Sequence, residues 1–211
     1  MSDWNWGAFQ GNPRVIGLAR RDIGYLDAAT AYTRGRTAAV QAGGNLGIYP
    51  KRLAQLFTTV YTFEPAADLW PKLLVNAPEP NIVKLQAALG DTRELVQVSR
   101  VRRDGKRHAH EGIGYTVPHG TIPTLRIDDL NLPVCDLVYL DIEGGELPAL
   151  RGAVETVARC RPVIGVEINK NLKYVGLTPA HVIDFLAGQG YRHAQTLGSD
   201  QVFVPVEWEA Q

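Results

Sequence analysis

Residues 37–50 read TAAVQAGGNLGIYP, the pattern of a strand that is followed by a glycine-rich turn and a helix. Its apolar start, residues 38–40, is typical of a buried strand, and Pro50 suits the first turn of a helix. The turn between them carries Gly43, Gly44 and Gly47. Glycine accepts backbone angles closed to other residues, and it lets another group approach without a Cβ in the way. The stretch therefore predicts a strand, a tight turn and a helix whose free N–H groups face the space above the turn.

Glu64 follows this turn at a spacing that nucleotide-binding folds use. It ends the next candidate strand, residues 60–63, about 20 residues beyond the glycines, where an acid accepts hydrogen bonds from ribose hydroxyls. The positive end of the helix dipole suits a polar or anionic group of the same ligand. Together the two features indicate a pocket for a nucleoside cofactor, whereas the glycines alone would indicate only a tight turn.

The composition is that of a globular protein with one domain. The chain has 211 residues, 45% hydrophobic and 21% charged, which is long enough to bury a core and too apolar for disorder. No apolar run approaches the ~18 residues of a membrane span, and no basic leader precedes an apolar segment at the N-terminus. Cys135 and Cys160 are too few for a disulfide scaffold. We therefore expect a cytoplasmic protein with free thiols and no membrane partner.

The net charge gives no broad attraction to polyanions. Lysine and arginine total 22, as do aspartate and glutamate, so the formal charge is zero. Proteins bind nucleic acids and anionic membranes mainly through positive charge. A nucleic-acid partner is therefore not favoured.

Strand and helix patterns alternate along most of the chain. After a strand at 37–42, we predict helices at 49–57, 66–76, from 147 onward and at 179–188, and strands at 59–64, 81–88, 135–140, 162–168, 191–196 and 201–205. Pro71 is expected to kink or split the second of these helices. Such alternation is typical of a parallel sheet with helices on both faces. The last two strands are expected to form an antiparallel hairpin at a sheet edge.

The N-terminal residues precede this alternating core. The first 16 residues carry Trp4, Trp6 and Phe9 among glycine, asparagine and proline, which predicts an irregular arm whose rings pack on the body. A contact between two copies of the chain, giving a homodimer, is the alternative role for these rings. A helix is expected to follow, from Asp22 as N-cap to about residue 32.

The alternation lapses between residues 90 and 124, which predicts an inserted hairpin around residues 93–123. Asp104-Gly105 is a strong hairpin-turn signal. Basic residues surround it: Arg100, Arg102, Arg103, Lys106, Arg107, His108 and His110. A charge run of this kind is typical of a solvated hairpin whose edges resist aggregation. The alternative is a basic flap over the pocket that holds an anionic or sugar-phosphate substrate.

Polar residues close four of the predicted strands, at 41–45, 64, 141–143 and 167–169. In an open parallel sheet, ligands bind beyond the carboxyl ends of the strands. Asp141 also suits a helix cap, and Glu143 and Glu146 suit a helix N-terminus, but neither role excludes a function. The pattern favours an acidic functional cluster at that edge of the sheet.

Six segments stand in order along the chain: QAGGNLG, YTFEP, QAALGD, TLRIDDL, DLVYLDIEGGELPALRGA and RPVIGVEI. They resemble the FkbM-type class I S-adenosylmethionine-dependent methyltransferases, from residue 37 to residue 205. The resemblance implies a Rossmann-like α/β fold with a seven-stranded, mostly parallel sheet and an antiparallel last strand. Since the chain has no internal repeat or low-complexity linker, we expect a single domain over residues 1–211, with an arm and helix at 1–35 and the core at 37–205.

The resemblance also implies roles for the residues around the pocket. The cofactor-binding residues would be Gln41, Gly43, Gly44, Asn45, Gly47, Glu64, Ala88, Leu89 and Asp141. The glycines and Asn45 would surround the methionine part, Glu64 would hold the ribose, and the two apolar residues would flank adenine. Asp141 would lie beside the sulfonium. The family usually has an acid where Gln41 stands, so a weaker hold on the cofactor's amino group is expected.

The implied reaction transfers a methyl group from S-adenosylmethionine to a hydroxyl of a small-molecule or glycan-like acceptor and leaves S-adenosylhomocysteine. Alignment of methyl and acceptor supplies much of the rate in such a displacement, and a base takes the hydroxyl proton. Asp141 and Glu143 are the catalytic candidates, and Glu167 is expected on the acceptor side. Histidines 108, 110 and 119 are further candidates for the base. No ligand spacing in the sequence requires a metal ion.

Two other functions stay open on the sequence alone, and methylation of a nucleic acid is less favoured but is kept open by the arginine-rich hairpin. One is a non-catalytic S-adenosylmethionine-binding protein, because Gln41 departs from the family pattern. The other is a nicotinamide-dependent oxidoreductase, which would also carry a glycine turn followed by Glu64 but does not account for DIEGGE at residues 141–146. Transfer of a labelled methyl group tests the first alternative, and ligand-induced melting shifts test the second.

Overall fold

The computed structural model describes residues 4–101 and 114–208, which form an α/β protein with two sheets. The helices are α1 (Pro13–Ala31), α2 (Ile48–Ala54), α3 (Trp70–Asn76), α4 (Glu146–Arg151), α5 (Val154–Cys160) and α6 (Pro179–Gly188). The strands are β1 (Ala38–Ala42), β2 (Thr59–Phe63), β3 (Ile82–Leu85), β4 (Ala88–Leu89), β5 (Leu95–Ser99), β6 (Tyr115–Pro118), β7 (Ile122–Leu125), β8 (Leu137–Leu140), β9 (Val163–Glu167), β10 (Tyr191–Leu197) and β11 (Asp200–Pro205). No helix in these two ranges has the length and apolar content needed to cross a bilayer.

Seven strands of the described chain form the main sheet, in the order β10-β11-β9-β8-β1-β2-β3. Strand β1 is parallel to β2 and β8, β2 to β3, and β8 to β9. Strand β11 lies between β9 and β10 and is antiparallel to both. The predicted α/β fold, with a mostly parallel sheet and an antiparallel last strand, is therefore confirmed. The strand order reverses between β1 and β8, which places a ligand crevice at their carboxyl ends.

Helices cover both faces of the main sheet. All five residues of β1 and all four of β8 are buried, as expected for parallel strands between two helical layers. Val40 joins the core cluster of α4, α5 and α6, whereas Ala39 joins the cluster of α1 and α2. Successive residues of a strand point to opposite faces, so one short strand anchors both layers.

Helix α1 is longer than the sequence predicts. It begins at Pro13, where the Asn12 side chain caps it by accepting a hydrogen bond from the N–H of Arg14 at 2.9 Å. Asp22 lies inside the helix, so its predicted role as N-cap is wrong. A proline in the first turn removes no helical hydrogen bond, and asparagine is a preferred N-cap residue. Asn-Pro is therefore a signal for the start of a helix. The irregular arm is therefore shorter than predicted.

The aromatic residues of the arm pack on the body, as the sequence predicts. The rings of Trp4, Trp6 and Phe9 have centroids 5.2 to 5.6 Å apart. They join an apolar cluster that includes Val15 of α1 and Leu46, which follows the glycines. Aromatic rings at this separation attract one another beyond the area they bury. The arm is thereby held against the turn that the sequence singles out.

The helix predicted from residue 147 onward is broken into α4 and α5. Gly152 lies so close to Gly90 that an added Cβ would stand 2.0 Å from the Gly90 carbonyl oxygen. The Asp128 carboxylate accepts hydrogen bonds from the N–H groups of Glu155 and Thr156, at 3.1 and 2.8 Å. These contacts end one helix and cap the start of the next. The apolar periodicity of the sequence runs across the break and hides it.

Two smaller predictions are also wrong. Pro71 lies in the first turn of α3, where it does not kink the helix. The strand predicted at 81–88 is two strands, because β3 joins the main sheet and β4 pairs with β7 in the second sheet. The chain therefore leaves the main sheet between β3 and β4.

The insertion builds the second sheet, in the order β4-β7-β5-β6. Strands β5 and β6 are antiparallel, with Ser99 opposite Tyr115. The hairpin predicted around residues 93–123 is therefore confirmed in its strands. Its predicted turn at Asp104-Gly105 lies outside the described residues.

Candidate functional site

A cavity of about 380 Å³ opens at the carboxyl ends of β1, β2, β8 and β9. Its volume lies in the range of small-molecule sites, roughly 300–1,000 Å³. The glycine loop (residues 43–47), Glu64, Asp141 and Glu167 all border it, as do residues of α1, β5 and β6. The polar groups predicted at four strand ends therefore meet around one space.

The glycine loop is packed too tightly to accept side chains at its first two positions. Gly43 has a φ of +85°, and a Cβ on it would stand 2.0 Å from the carbonyl oxygen of Asp141. A Cβ on Gly44 would stand 2.4 Å from Cδ1 of Leu73. The N–H groups of both glycines donate to the carbonyl oxygen of Phe63, at 3.1 and 2.9 Å. The loop is therefore seated between the end of β2 and the residue that follows β8.

Gln41, predicted to contact the cofactor, is not among the described residues that line the cavity. It is fully buried in β1 and lies beneath the loop. Its Nε2 donates to the carbonyl oxygens of Ala42 and Gly43, at 3.0 and 2.9 Å, and its Oε1 accepts from the hydroxyl of Thr62 at 2.6 Å. An amide suits this position because it both donates and accepts. Gln41 therefore supports the loop backbone from below.

Glu64 borders the cavity at the end of β2 and is almost completely buried. Its two carboxylate oxygens accept the N–H groups of Asn45 and Ala66, each at 2.7 Å. Burial raises the pKa of Glu64, and these two hydrogen bonds partly offset that rise. Ala88 and Leu89 border the same cavity as buried apolar residues. The ribose contact of Glu64 and the adenine contacts of Ala88 and Leu89 stay predictions.

Three acids meet on another side of the cavity. One carboxylate oxygen from each of Asp141, Glu143 and Glu167 lies within 4.8 Å of the others. The pKa of Asp141 is raised well above its usual value, first because the group is buried and then because Glu167 and Glu143 are close. The Ser199 hydroxyl and the Asn169 amide donate to Glu167, at 3.0 and 2.5 Å. An organic cation or a hard metal ion would offset the repulsion in this acid cluster.

Sequence reasoning missed the contribution of α1 and α2. Arg21 and Asp22 of α1 border the cavity, and they are joined by two hydrogen bonds of 2.6 and 2.8 Å. Tyr49 of α2 also borders it, and its pKa is raised first by burial and then by the charge of Asp141. The apolar residues at positions 15, 18 and 19, spaced along one helix face, were the signal that extends α1 toward the N-terminus.

The strands of the inserted hairpin form part of the cavity wall. Val98, Arg100 and Tyr115 border the cavity, and Arg100 donates to Asp68 at 2.8 Å. His119 is exposed and is not among the described residues that line the cavity, while histidines 108 and 110 lie outside the described residues. The described part of the insertion thus lies against the pocket rather than apart from it.

Solved structures with similar folds include methyltransferases and a decarboxylase. Magnesium protoporphyrin IX methyltransferase from Synechocystis PCC 6803, with bound SAM, is 14% identical with a TM-score of 0.52 over 95% of this chain and 88% of that one. Precorrin 8W decarboxylase from Methanobacterium thermoautotrophicum is 13% identical with a TM-score of 0.52 over 87% of this chain and 89% of that one. At these identities the similarity establishes the fold.

A methyltransferase FkbM from Methylobacillus flagellatus KT is 18% identical, with a TM-score of 0.49. The similarity covers 80% of the present chain and 43% of that protein. No curated protein sequence matches the chain significantly. Residues 54–193, more than half of the chain, match the sequence profile of the Methyltransferase FkbM domain. The matched part contains Glu64 and the acid cluster, and the chain therefore belongs to the FkbM methyltransferase family.

Proposed function

We propose that this protein transfers the methyl group of S-adenosylmethionine to a hydroxyl of a small-molecule or glycan-like acceptor. The observation that carries the proposal is one cavity bordered by the glycine loop, Glu64 and the acid cluster. Family membership supports methyl transfer as the reaction class and disfavours hydride transfer to a nicotinamide. The Synechocystis enzyme, solved with bound SAM, has the same fold.

The residues around the cavity fit this cofactor. Glu64 keeps acceptor positions for ribose hydroxyls, because an ionised carboxylate offers about four and backbone N–H groups fill only two. Ala88 and Leu89 offer an apolar surface for adenine. The buried Oδ1 atom of Asn45 has no hydrogen-bond partner in the described chain, and a ligand donor in the cavity would supply one. Asp141 brings negative charge for the sulfonium and ammonium groups.

When bound, the cofactor supplies an electrophilic methyl group, and the chain supplies alignment and a base. Glu143 orients the acceptor hydroxyl and takes its proton, while Asp141 holds the cationic end of the cofactor. The pKa of Asp141 is raised without a ligand, and a cation bound beside it would favour the ionised carboxylate that holds the cofactor. Because the displacement is in line, placement of the hydroxyl opposite the methyl group carries much of the rate.

Calorimetric titration with S-adenosylhomocysteine tests the cofactor assignment. We expect micromolar affinity, about −8 kcal/mol of binding free energy, and no comparable signal from NAD⁺ or NADH. An absence of binding at millimolar S-adenosylhomocysteine would reject the proposal.

Transfer of a tritiated methyl group to a panel of hydroxylated small molecules and oligosaccharides tests the reaction. Glu143→Gln keeps the side-chain size but removes the base, so transfer should fall about 100-fold or more, with little change in S-adenosylhomocysteine affinity. Glu155→Gln is the control, because Glu155 is an exposed glutamate in the first turn of α5. Unchanged turnover in Glu143→Gln removes that residue from the mechanism. Binding without transfer to any acceptor would favour the non-catalytic alternative.

The proposal extends to partners and compartment. The zero formal charge favours a small or glycan-like acceptor over nucleic acid. Cys135 and Cys160 are both free, which supports a reducing, cytoplasmic location.

A further inference from the structure

Glu146 is the first residue of α4, and its carboxylate is turned back onto the turn that precedes the helix. It is 1% exposed, and its Oε1 atom accepts the N–H groups of Ile142 and Gly144, both at 3.1 Å. These N–H groups belong to the peptide units that follow Asp141 and Glu143. One buried oxygen therefore fixes the backbone immediately after each of the two acids that reach the cavity.

The turn needs such support because its backbone is left-handed at two successive residues. Glu143 has a φ of +56° and Gly144 a φ of +110°. A left-handed conformation is unfavourable for a residue with a Cβ, so it persists only where neighbouring groups hold it. Ile142 is not left-handed whereas Glu143 is, and a backbone that changes hand in this way turns successive N–H groups toward one point, which forms a small anion-binding hollow. In this turn the carboxylate of Glu146 takes the place of a bound anion.

The peptide unit that joins Asp141 to Ile142 also contacts the glycine loop. The carbonyl oxygen of Asp141 lies against Gly43, where an added Cβ would stand 2.0 Å from it. In a trans peptide the C=O and N–H point in opposite directions. The unit that joins Asp141 to Ile142 therefore meets the loop on its carbonyl side and Glu146 on its N–H side.

We propose that Glu146 is a positioning residue of the methyl-transfer site. It holds the two peptide units that aim Asp141 and Glu143 into the cavity, and it seats their turn against the glycine loop. The effect of Glu146 on methyl transfer rests on the proposed function, whereas its hold on the turn rests on the geometry alone. An acid that merely favours the helix dipole would be exposed and would accept no hydrogen bond from the turn, unlike Glu146.

Amide hydrogen exchange on the ¹⁵N-labelled full chain tests the clamp directly. In Glu146→Ala, the amides of Ile142 and Gly144 should exchange about 10- to 100-fold faster than in the wild type, because their acceptor is lost. Glu146→Gln keeps an acceptor oxygen and should stay close to the wild type, whereas the shorter Glu146→Asp should resemble the alanine variant. Glu155→Ala, at the start of α5, is the control and should change neither amide. Wild-type protection of both amides in Glu146→Ala or Glu146→Asp would overturn the proposal.

A double-mutant cycle on S-adenosylhomocysteine binding tests whether the clamp acts through Asp141. We expect Glu146→Asp and Asp141→Asn each to weaken binding about tenfold, and the double variant to bind no more weakly than Asp141→Asn. Independent losses that multiply in the double variant would overturn the proposal. A wild-type protein that fails to bind S-adenosylhomocysteine would refute the proposed cofactor, while the exchange experiment would still decide the role of Glu146.

Discussion

Gly43→Ala tests how tightly the glycine loop is packed against the turn after β8. The backbone there has a φ of +85°, which costs an alanine about 1–2 kcal/mol relative to glycine. The added Cβ would also stand 2.0 Å from the carbonyl oxygen of Asp141, whereas real Cβ atoms essentially never come within 3.0 Å of a neighbour. Loop and turn must therefore separate by about 1 Å, and a forced backbone shift of this kind costs a further ~1–3 kcal/mol. We expect a total loss of about 2–5 kcal/mol in the free energy of unfolding.

Gly176→Ala is the matched control for this variant. Its φ is +76°, close to that of Gly43, but an added Cβ would meet nothing within 4 Å. Its free energy of unfolding should fall only by the cost of the left-handed backbone, about 1–2 kcal/mol. Urea denaturation measures both losses, and calorimetry measures S-adenosylhomocysteine binding, which we expect Gly43→Ala to abolish and Gly176→Ala to leave intact. Equal stability losses, or full binding by Gly43→Ala, would refute the packing argument.

Three further predictions concern buried carboxyl groups. Glu64→Gln should lower the free energy of unfolding by about 1–3 kcal/mol, because an amide has one acceptor oxygen where the carboxylate uses two; an unchanged urea midpoint would contradict this. Burial raises the pKa of Glu146 from 4.5 to about 7, so the wild type has this group's full contribution below pH 4.5 and loses it as the pH rises through 7. The stability of Glu146→Gln relative to the wild type should therefore increase by about 2–3 kcal/mol between pH 5 and pH 8, and a constant difference in urea titrations would argue against it. Tyr139→Phe removes a hydroxyl that donates to Asp200, whose pKa burial raises to about 6. Its cost, about 1–2 kcal/mol, should be larger at pH 8, where the carboxyl is ionised, than at pH 5, and equal costs would show that the hydrogen bond is unimportant.

The parts of the fold that the sequence predicts well are those fixed by local chemistry. Strand β8 is a run of four apolar residues, and in a sheet covered on both faces such a run has no competing arrangement. The glycine loop is equally local, because the positive φ at Gly43 and Gly47 restricts the residue type at each position. Glu64 and Asp141 follow from these elements, since each closes a strand that ends at the same sheet edge.

The features that the sequence did not predict depend on contacts between distant residues. The periodicity of α4 continues into α5, and only the approach of Gly90 and the capping by Asp128 reveal the break. Gln41 looks like a ligand contact from its place at a strand end, but the hydroxyl of Thr62 on the neighbouring strand holds it beneath the loop. The alternation along a strand gives the face on which a polar side chain lies, but it does not show which residue of another strand will hold that side chain.

Two acids on one side of the cavity, Glu167 and Asp200 opposite it on β11, are oriented by neutral donors. Glu167 accepts hydrogen bonds from the hydroxyl of Ser199 and the amide of Asn169, and the phenol of Tyr139 donates to Asp200. A hydroxyl or an amide fixes the direction of a carboxylate without cancelling its charge, whereas a lysine or arginine partner would neutralise it. Charged acids repel one another strongly in a partly buried site, and the pKa of Asp141 is raised first by burial and then by the nearby Glu167 and Glu143. In the proposed function, a ligand that brings a sulfonium and an ammonium group supplies positive charge that these neutral donors do not.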